Sequence, residues 1–370
     1  MTVRRVTAAL LSSAALVTIA GCGGDGSPEA PPVAVSPSAT KVHEPKVPED
    51  QPSLFAADSI WNAALADDAP VDPTSPSRMA ALNAEIGREE EEGIGPYISE
   101  SEYSTPIYTV SAATARVPVT LDAGPWADSL RAALEPGVPI PRDARPAPGT
   151  DGHMTIYQPA TDKLWEFWRA VRAPDGWHAS WGGAMREVSA SPGYYSRASW
   201  PGLASGEGDN WGSTATSLPV VAGTVTIEEL RRGSIGHALA FALPDTCAGV
   251  FAWPAQRTDG ESLDPACIPA GAHLRLDPAL NLSRLHLPRI TRLLAEAAQT
   301  YGIVVRDRTH HAVGFYAEDP APTGSDPYDG PRGLYGGLHP WDFLPPFPWD
   351  RLQLLDMSLC QTAPCAPPGT

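Results

Sequence analysis

Residues 152–170 read GHMTIYQPATDKLWEFWRA, and the period of this stretch decides the fold. On either side of the turn-forming tetrad Pro159-Ala160-Thr161-Asp162 the side chains alternate in character, the mark of two β-strands joined as a hairpin. With a four-residue loop, Gln158 stands opposite Lys163, and the other pairs follow from the two-residue repeat. Met154, Ile156, Trp165 and Phe167 then share an apolar face. His153, Thr155, Tyr157, Glu166 and Trp168 share the opposite face, which carries an imidazole, a carboxylate, hydroxyls and an indole. That second face predicts the floor of a site for a polar ligand. A slip of one residue would exchange the two faces.

Working outward, 33 glycines and 41 prolines in 370 residues favour short strands and loops over long helices. The expected fold class is mainly β with a few helices, a single β-sandwich or jelly-roll-like domain over residues 54–370. Helices are predicted at about 78–92, 226–232 and 288–301 from apolar residues at helical spacing and from capping positions. Strands are predicted at 107–110, 116–121, 177–181, 235–243 and 249–253. Two more, 303–305 and 312–316, are expected to pair with each other across a turn at 307–311. In 235–243 the larger side chains Ile235, His237, Leu239, Phe241 and Leu243 share one face. Gly236, Ala238, Ala240 and Ala242 share the other, which implies something packed closely over it. The acidic run 89–92 reads as a solvated helix end.

The formal charge of −17 opposes non-specific nucleic-acid binding, so no nucleic-acid partner is expected. At the N-terminus Arg4 and Arg5 precede an apolar run at 8–20 that is too short to span a bilayer. Ile19-Ala20-Gly21-Cys22 resembles the lipobox of bacterial lipoproteins. Residues 1–21 are thus expected to be a lipoprotein signal peptide, with Cys22 acylated and membrane lipid as its partner. Residues 22–53, rich in Pro, Gly and Ser, form an expected tether. The localisation that follows is the outer face of the cell membrane. Cys247, Cys267, Cys360 and Cys365 remain, an even number that suits disulfides in an oxidising compartment. Three pairings exist, and proximity in the chain favours Cys247–Cys267 with Cys360–Cys365.

The hairpin supplies the first candidates for chemistry: Glu166 as acid or base, with His153, Tyr157 and, from a later strand, His237. A strand carboxylate beside aromatic rings suits glycan chemistry, since the acid protonates a leaving oxygen while indoles stack on sugar faces. Hydrolysis needs a second carboxylate, and Asp151, Asp175, Asp209, Asp259 and Glu261 are open candidates. His, Tyr and Arg together would instead suit β-elimination on a uronic-acid polymer. The bland reading of Glu166 is a surface carboxylate paired with Lys163 or Arg169. Candidate ligand-binding residues are Trp168, His178, Trp200, Trp211 and Arg257, whereas alternation puts Trp165, Trp177 and Trp181 in the core. His153, His237 and Glu166 match the donor types of a metal triad. They lack diagnostic spacing, so neither metal nor cofactor is expected.

Trp61-Asn62, Ser217-Leu218-Pro219, the run Gly233-x-Ile235-x-His237-Ala238-Leu239-x-Phe241, Trp253-Pro254-Ala255 and Tyr301-Gly302 form a set. It resembles a family of exported bacterial proteins of uncharacterised function, over roughly residues 55–316. The resemblance implies a shared domain and no particular chemistry. No GxSxG elbow, HExxH, Walker A loop or helix-opening GxGxxG occurs, which argues against serine-hydrolase, metalloprotease and nucleotide chemistry. The sequence therefore points to a surface lipoprotein that binds or cleaves an extracellular polysaccharide, as a hydrolase or lyase. The alternative is a non-catalytic lipoprotein that binds a glycan or a protein.

Overall fold

The structure, a computed structural model, describes residues 54–122, 127–195 and 211–367. Residues 1–53, over which a signal peptide, Cys22 and a tether were expected, and the candidates Trp200 and Asp209 lie outside the described residues. The hairpin forms as its period dictates. Strands Met154–Gln158 and Lys163–Trp168 pair antiparallel, with Gln158 opposite Lys163, Ile156 opposite Trp165 and Thr155 opposite Glu166. Pro159–Thr161 makes one 3-10 turn, and Asp162 closes it at φ 49°. Ile107–Thr109 and Trp181–Arg186 flank the hairpin to give a four-stranded sheet.

A six-stranded mixed sheet runs Tyr97–Ser99, Gly314–Tyr316, Leu239–Leu243, Ile303–Arg308, His273–Leu276, Leu352–Leu354. Two three-stranded sheets complete sixteen strands, and five α-helices accompany them among the described residues. The mainly-β expectation holds.

The alanine face behaves as its small side chains require. Ala240 and Ala242 share a core with Met154, Ile156, Trp165 and Phe167 of the hairpin, while Leu239, Phe241 and Leu243 face a second core. Helix Arg289–Thr300 seals that second core with Ile290, Leu293, Leu294, Ala297 and Ala298. Gly223, at φ 70°, lies directly on the alanine face and accepts the Ala240 N–H at 2.8 Å. A Cβ on Gly223 would stand 2.5 Å from both the Ala240 nitrogen and the Trp61 ring. Only glycine fits there.

Some expectations need correction. The strand expected over 235–243 spans only Leu239–Leu243, because Glu229 takes the Gly236 N–H and the His237 imidazole. Residues 177–181 divide between strands of two different sheets, Gly176–Ala179 and Trp181–Arg186. Ile303–Arg308 and Gly314–Tyr316 do not pair with each other. They flank Leu239–Leu243, the first parallel and the second antiparallel, and so share its polar groups. Helix Ser75–Glu92 ends in the acidic run, but Glu89 is fully buried and accepts the Val313 N–H on both oxygens at 2.8 and 3.0 Å. Burial pushes the Glu89 carboxyl up to about 7.

Cys247–Cys267 and Cys360–Cys365 are both disulfide-bonded, as proximity suggested. Among the described residues no helix is long and apolar enough to cross a membrane.

Candidate functional site

A cleft of about 840 Å³ opens where the hairpin ends meet the loops beyond the six-stranded sheet. Asp151, His153, Trp168 and Arg169 reach it from the hairpin, and residues 213–215 form one wall. Arg257, Asp259, Asp307, Arg308 and His310 contribute charged and ionisable groups, and Tyr97, Tyr103 and Tyr316 add rings. The hairpin period is what delivers His153 and Trp168 to the same end: both lie on the polar face, one just before the first strand and one at the last residue of the second.

His153 is 3% exposed, and its Nε2 lies 3.0 Å from the Ser213 carbonyl oxygen. A carbonyl only accepts, so Nε2 carries the proton and Nδ1 keeps a bare lone pair. No hydrogen-bond partner reaches Nδ1 among the described residues. Burial lowers the imidazole to about 4, despite the opposing charge of Asp151, so it is neutral at physiological pH.

Asp307 is one of three carboxyl groups that line the cleft, with Asp151 and Asp259. It follows Ile303, Val304, Val305 and Arg306, all buried, on Ile303–Arg308 and is itself only partly exposed. Its Oδ1 accepts the backbone N–H of Ala215 at 3.1 Å and of Arg308 at 3.0 Å. Removal from water raises its carboxyl to about 7; Arg306 and the two N–H donors oppose the rise, while the nearby Asp259 charge adds to it. Arg308 secures that second carboxylate's backbone by donating to the Asp259 carbonyl at 2.9 Å, and pairs with Glu261 at 2.6 Å.

Trp168 is half-buried; its Nε1–H donates to Asp151 at 3.1 Å, and the Arg169 guanidinium lies 4.2 Å from its ring centroid. Arg257 enters the cleft and donates to the carbonyls of Gly212 and Thr214 at 3.1 and 2.7 Å.

The other expected site residues lie elsewhere. Glu166 is fully buried, and its two oxygens accept the N–H groups of Ser213 and Val220 at 2.6 and 2.7 Å. It does not line the cleft, so the expected role as acid or base is corrected: the group has no access to substrate. His237 also stands outside. Its Nδ1 lies 2.8 Å from the Ala238 carbonyl oxygen and its Nε2 3.0 Å from Glu229, a lock on the helix Ile227–Arg232. Tyr157 packs half-buried against the core beside Asp162, away from the cleft. His178 bridges Asp122 and Asp175 at 3.1 and 3.2 Å on a different sheet, and Trp211 is wholly buried. Of the expected catalytic set only His153 lines the cleft; of the expected ligand-binding set, Trp168 and Arg257 do.

Asp307 escaped the sequence reading because Arg306-Asp307-Arg308 resembles the start of a turn. The signal present was a buried apolar triad, Ile303 to Val305, running without a breaker into alternating charges. Arg306 is buried completely, with its guanidinium bonded to the carbonyls of Val220 and Ala222 and the Thr224 hydroxyl, and 3.9 Å from the Tyr316 ring centroid. Buried arginines persist only with such partners. Among the described residues, no cluster of three or more His, Cys, Asp or Glu side chains suits a metal ion.

No protein family, curated protein or solved structure matches the chain.

Proposed function

We propose that the cleft binds and cleaves an extracellular polysaccharide, with Asp307 as the general acid and Asp259 as the second carboxylate. The observation that carries this reading is one cleft combining an accessible indole, Trp168, with a carboxyl held up to about 7 beside another acid. A glycosidase needs an acid kept protonated near neutral pH with a second carboxyl group close by. Asp307 protonates the glycosidic oxygen as the bond from the anomeric carbon breaks. Water adds to that carbon, activated by Asp259 or arriving after Asp259 has held the sugar. Trp168 and Tyr103 offer ring surface for stacking.

In this reading the chain is an exported lipoprotein anchored through acylated Cys22, so its substrate lies in or beside the cell envelope.

The test is a panel of neutral, acidic and N-acetylated glycans assayed for binding and for product release, with wild type and Trp168→Ala. Turnover by wild type with KM raised about tenfold in the variant supports the reading, since losing an aromatic ring contact costs up to about 1.5 kcal/mol and about 1.4 kcal/mol is tenfold. Binding without any product across the panel reassigns the cleft to recognition alone.

A further inference from the structure

We infer that Glu166 is a positioning residue: from the core it fixes the segment 213–220, and through that segment it orients His153 and Asp307. The inference rests on the reading of this cleft as a reaction site.

The geometry is specific. Ser213 and Val220 are seven positions apart, yet both donate their N–H to the one carboxylate, at 2.6 and 2.7 Å. Two acceptors on one planar group are needed, and a carboxyl group keeps a lone pair on each oxygen whether or not it carries a proton. The segment pinned between these points does two jobs in the cleft. Its Ser213 carbonyl holds Nε2 of His153, and its Ala215 N–H holds Oδ1 of Asp307.

The segment also needs holding. Ser217 sits at φ 65°, in the left-handed region that a side-chain-bearing residue avoids, and Gly212 lies at φ 106° against it. A Cβ on Gly212 would stand 2.8 Å from the Ser217 carbonyl, so the chain folds back on itself tightly. Thr214 donates to the Leu218 carbonyl at 2.8 Å, and Thr216 donates to the Arg306 carbonyl. Such a turn persists where the surroundings over-determine it. Glu166 is the anchor at both of its ends.

The test compares Glu166→Gln with Glu229→Gln. Glu229 is another buried carboxylate that accepts backbone N–H groups, at Thr226 and Gly236, away from the cleft. Three readouts are taken: thermal midpoint, titration of Asp307 followed by its 13C carboxyl resonance, and the pH profile of turnover. Glutamine turns one of the two acceptors into a donor facing an N–H, which releases the segment and takes the Ala215 N–H from Asp307. Expected for Glu166→Gln are an upward move of the Asp307 titration, a pH profile that follows it, and kcat lower by roughly 100-fold. Glu229→Gln lowers the thermal midpoint and leaves the Asp307 titration where it was.

The result that overturns the inference is an Asp307 titration unchanged in Glu166→Gln while the Ser213 and Val220 amide resonances have shifted. If that variant does not fold, Glu166→Asp takes its place, since its shorter side chain keeps the carboxyl but cannot reach both amides. An Asp307 titration unchanged there, with the Ser213 and Val220 amide resonances shifted, overturns the inference equally. The titration uses no substrate, so a failure to cleave any glycan is distinguished from a failure of the clamp.

Discussion

Ala215 donates its backbone N–H to Oδ1 of Asp307 across 92 positions of sequence, at 3.1 Å. The bond ties the wall of the cleft to the end of a central strand and decides which carboxylate oxygen faces backbone. A proton on Asp307 then belongs on Oδ2, which accepts no bond from the described residues. Turnover requires that proton. Because the carboxyl is held up to about 7, kcat is expected to fall as pH rises through 7, measurable as the alkaline limb of a pH–rate profile.

Stability is expected to decline between about pH 5 and pH 7.5. Burial raises Glu89, Glu100, Glu166 and Asp307 to about 7 each. The folded state therefore binds more protons than the unfolded chain from about 4.5 upward, and stability is lost as pH climbs through 7. His153 and His273, both lowered to about 4, act in the opposite direction between 4 and 6.5, but only two groups oppose four. Scanning calorimetry is expected to give a higher Tm at pH 5 than at pH 7.5.

His237 adds to that decline at higher pH. Burial alone would lower its imidazole, yet the Glu229 carboxylate outweighs burial and raises it. A raised imidazole gives stability that is complete below the unfolded value near 6.5 and is lost as pH rises through the folded one. His237→Gln leaves Glu229, 1% exposed, without its cation and is expected to cost about 3 kcal/mol at pH 6. The cost shrinks at pH 9. Urea melts at the two pH values check both signs.

Gly223→Ala tests the alanine face. The added methyl meets the Ala240 backbone and the Trp61 ring, both at 2.5 Å, and the position has φ 70°. The overpacking and the disfavoured backbone together are expected to cost about 3 kcal/mol by chemical denaturation. Gly249→Ala shares a positive φ of 65° with no atom in reach of its Cβ, so it isolates the backbone share and is expected to cost less.

The hairpin was legible because its information is local: a two-residue period and a four-residue turn set the register from Gln158 and Lys163 inward. The start of the helix at 226–232 was legible for the same reason. The site was legible only at the hairpin's open end, where His153 and Trp168 line the cleft. Nearer the middle, Thr155 and Glu166 are covered, and what covers Glu166 is a segment at 213–220 built of Ser, Thr, Ala, Leu, Pro and Val with no period to read. The value of Asp307 depends on its removal from water and on Asp259, 48 positions away, which no local pattern encodes. Burial of Arg306 likewise waits for the carbonyls of Val220 and Ala222.

The most direct test of the central claim is product release by Asp307→Asn on a glycan that wild type cleaves, with binding measured alongside. The amide keeps the shape and the acceptor for the Ala215 N–H but has no proton to give. Turnover lower by at least about 100-fold with binding unchanged is the predicted result. Turnover at the wild-type rate would contradict the account, because the acid would then lie elsewhere.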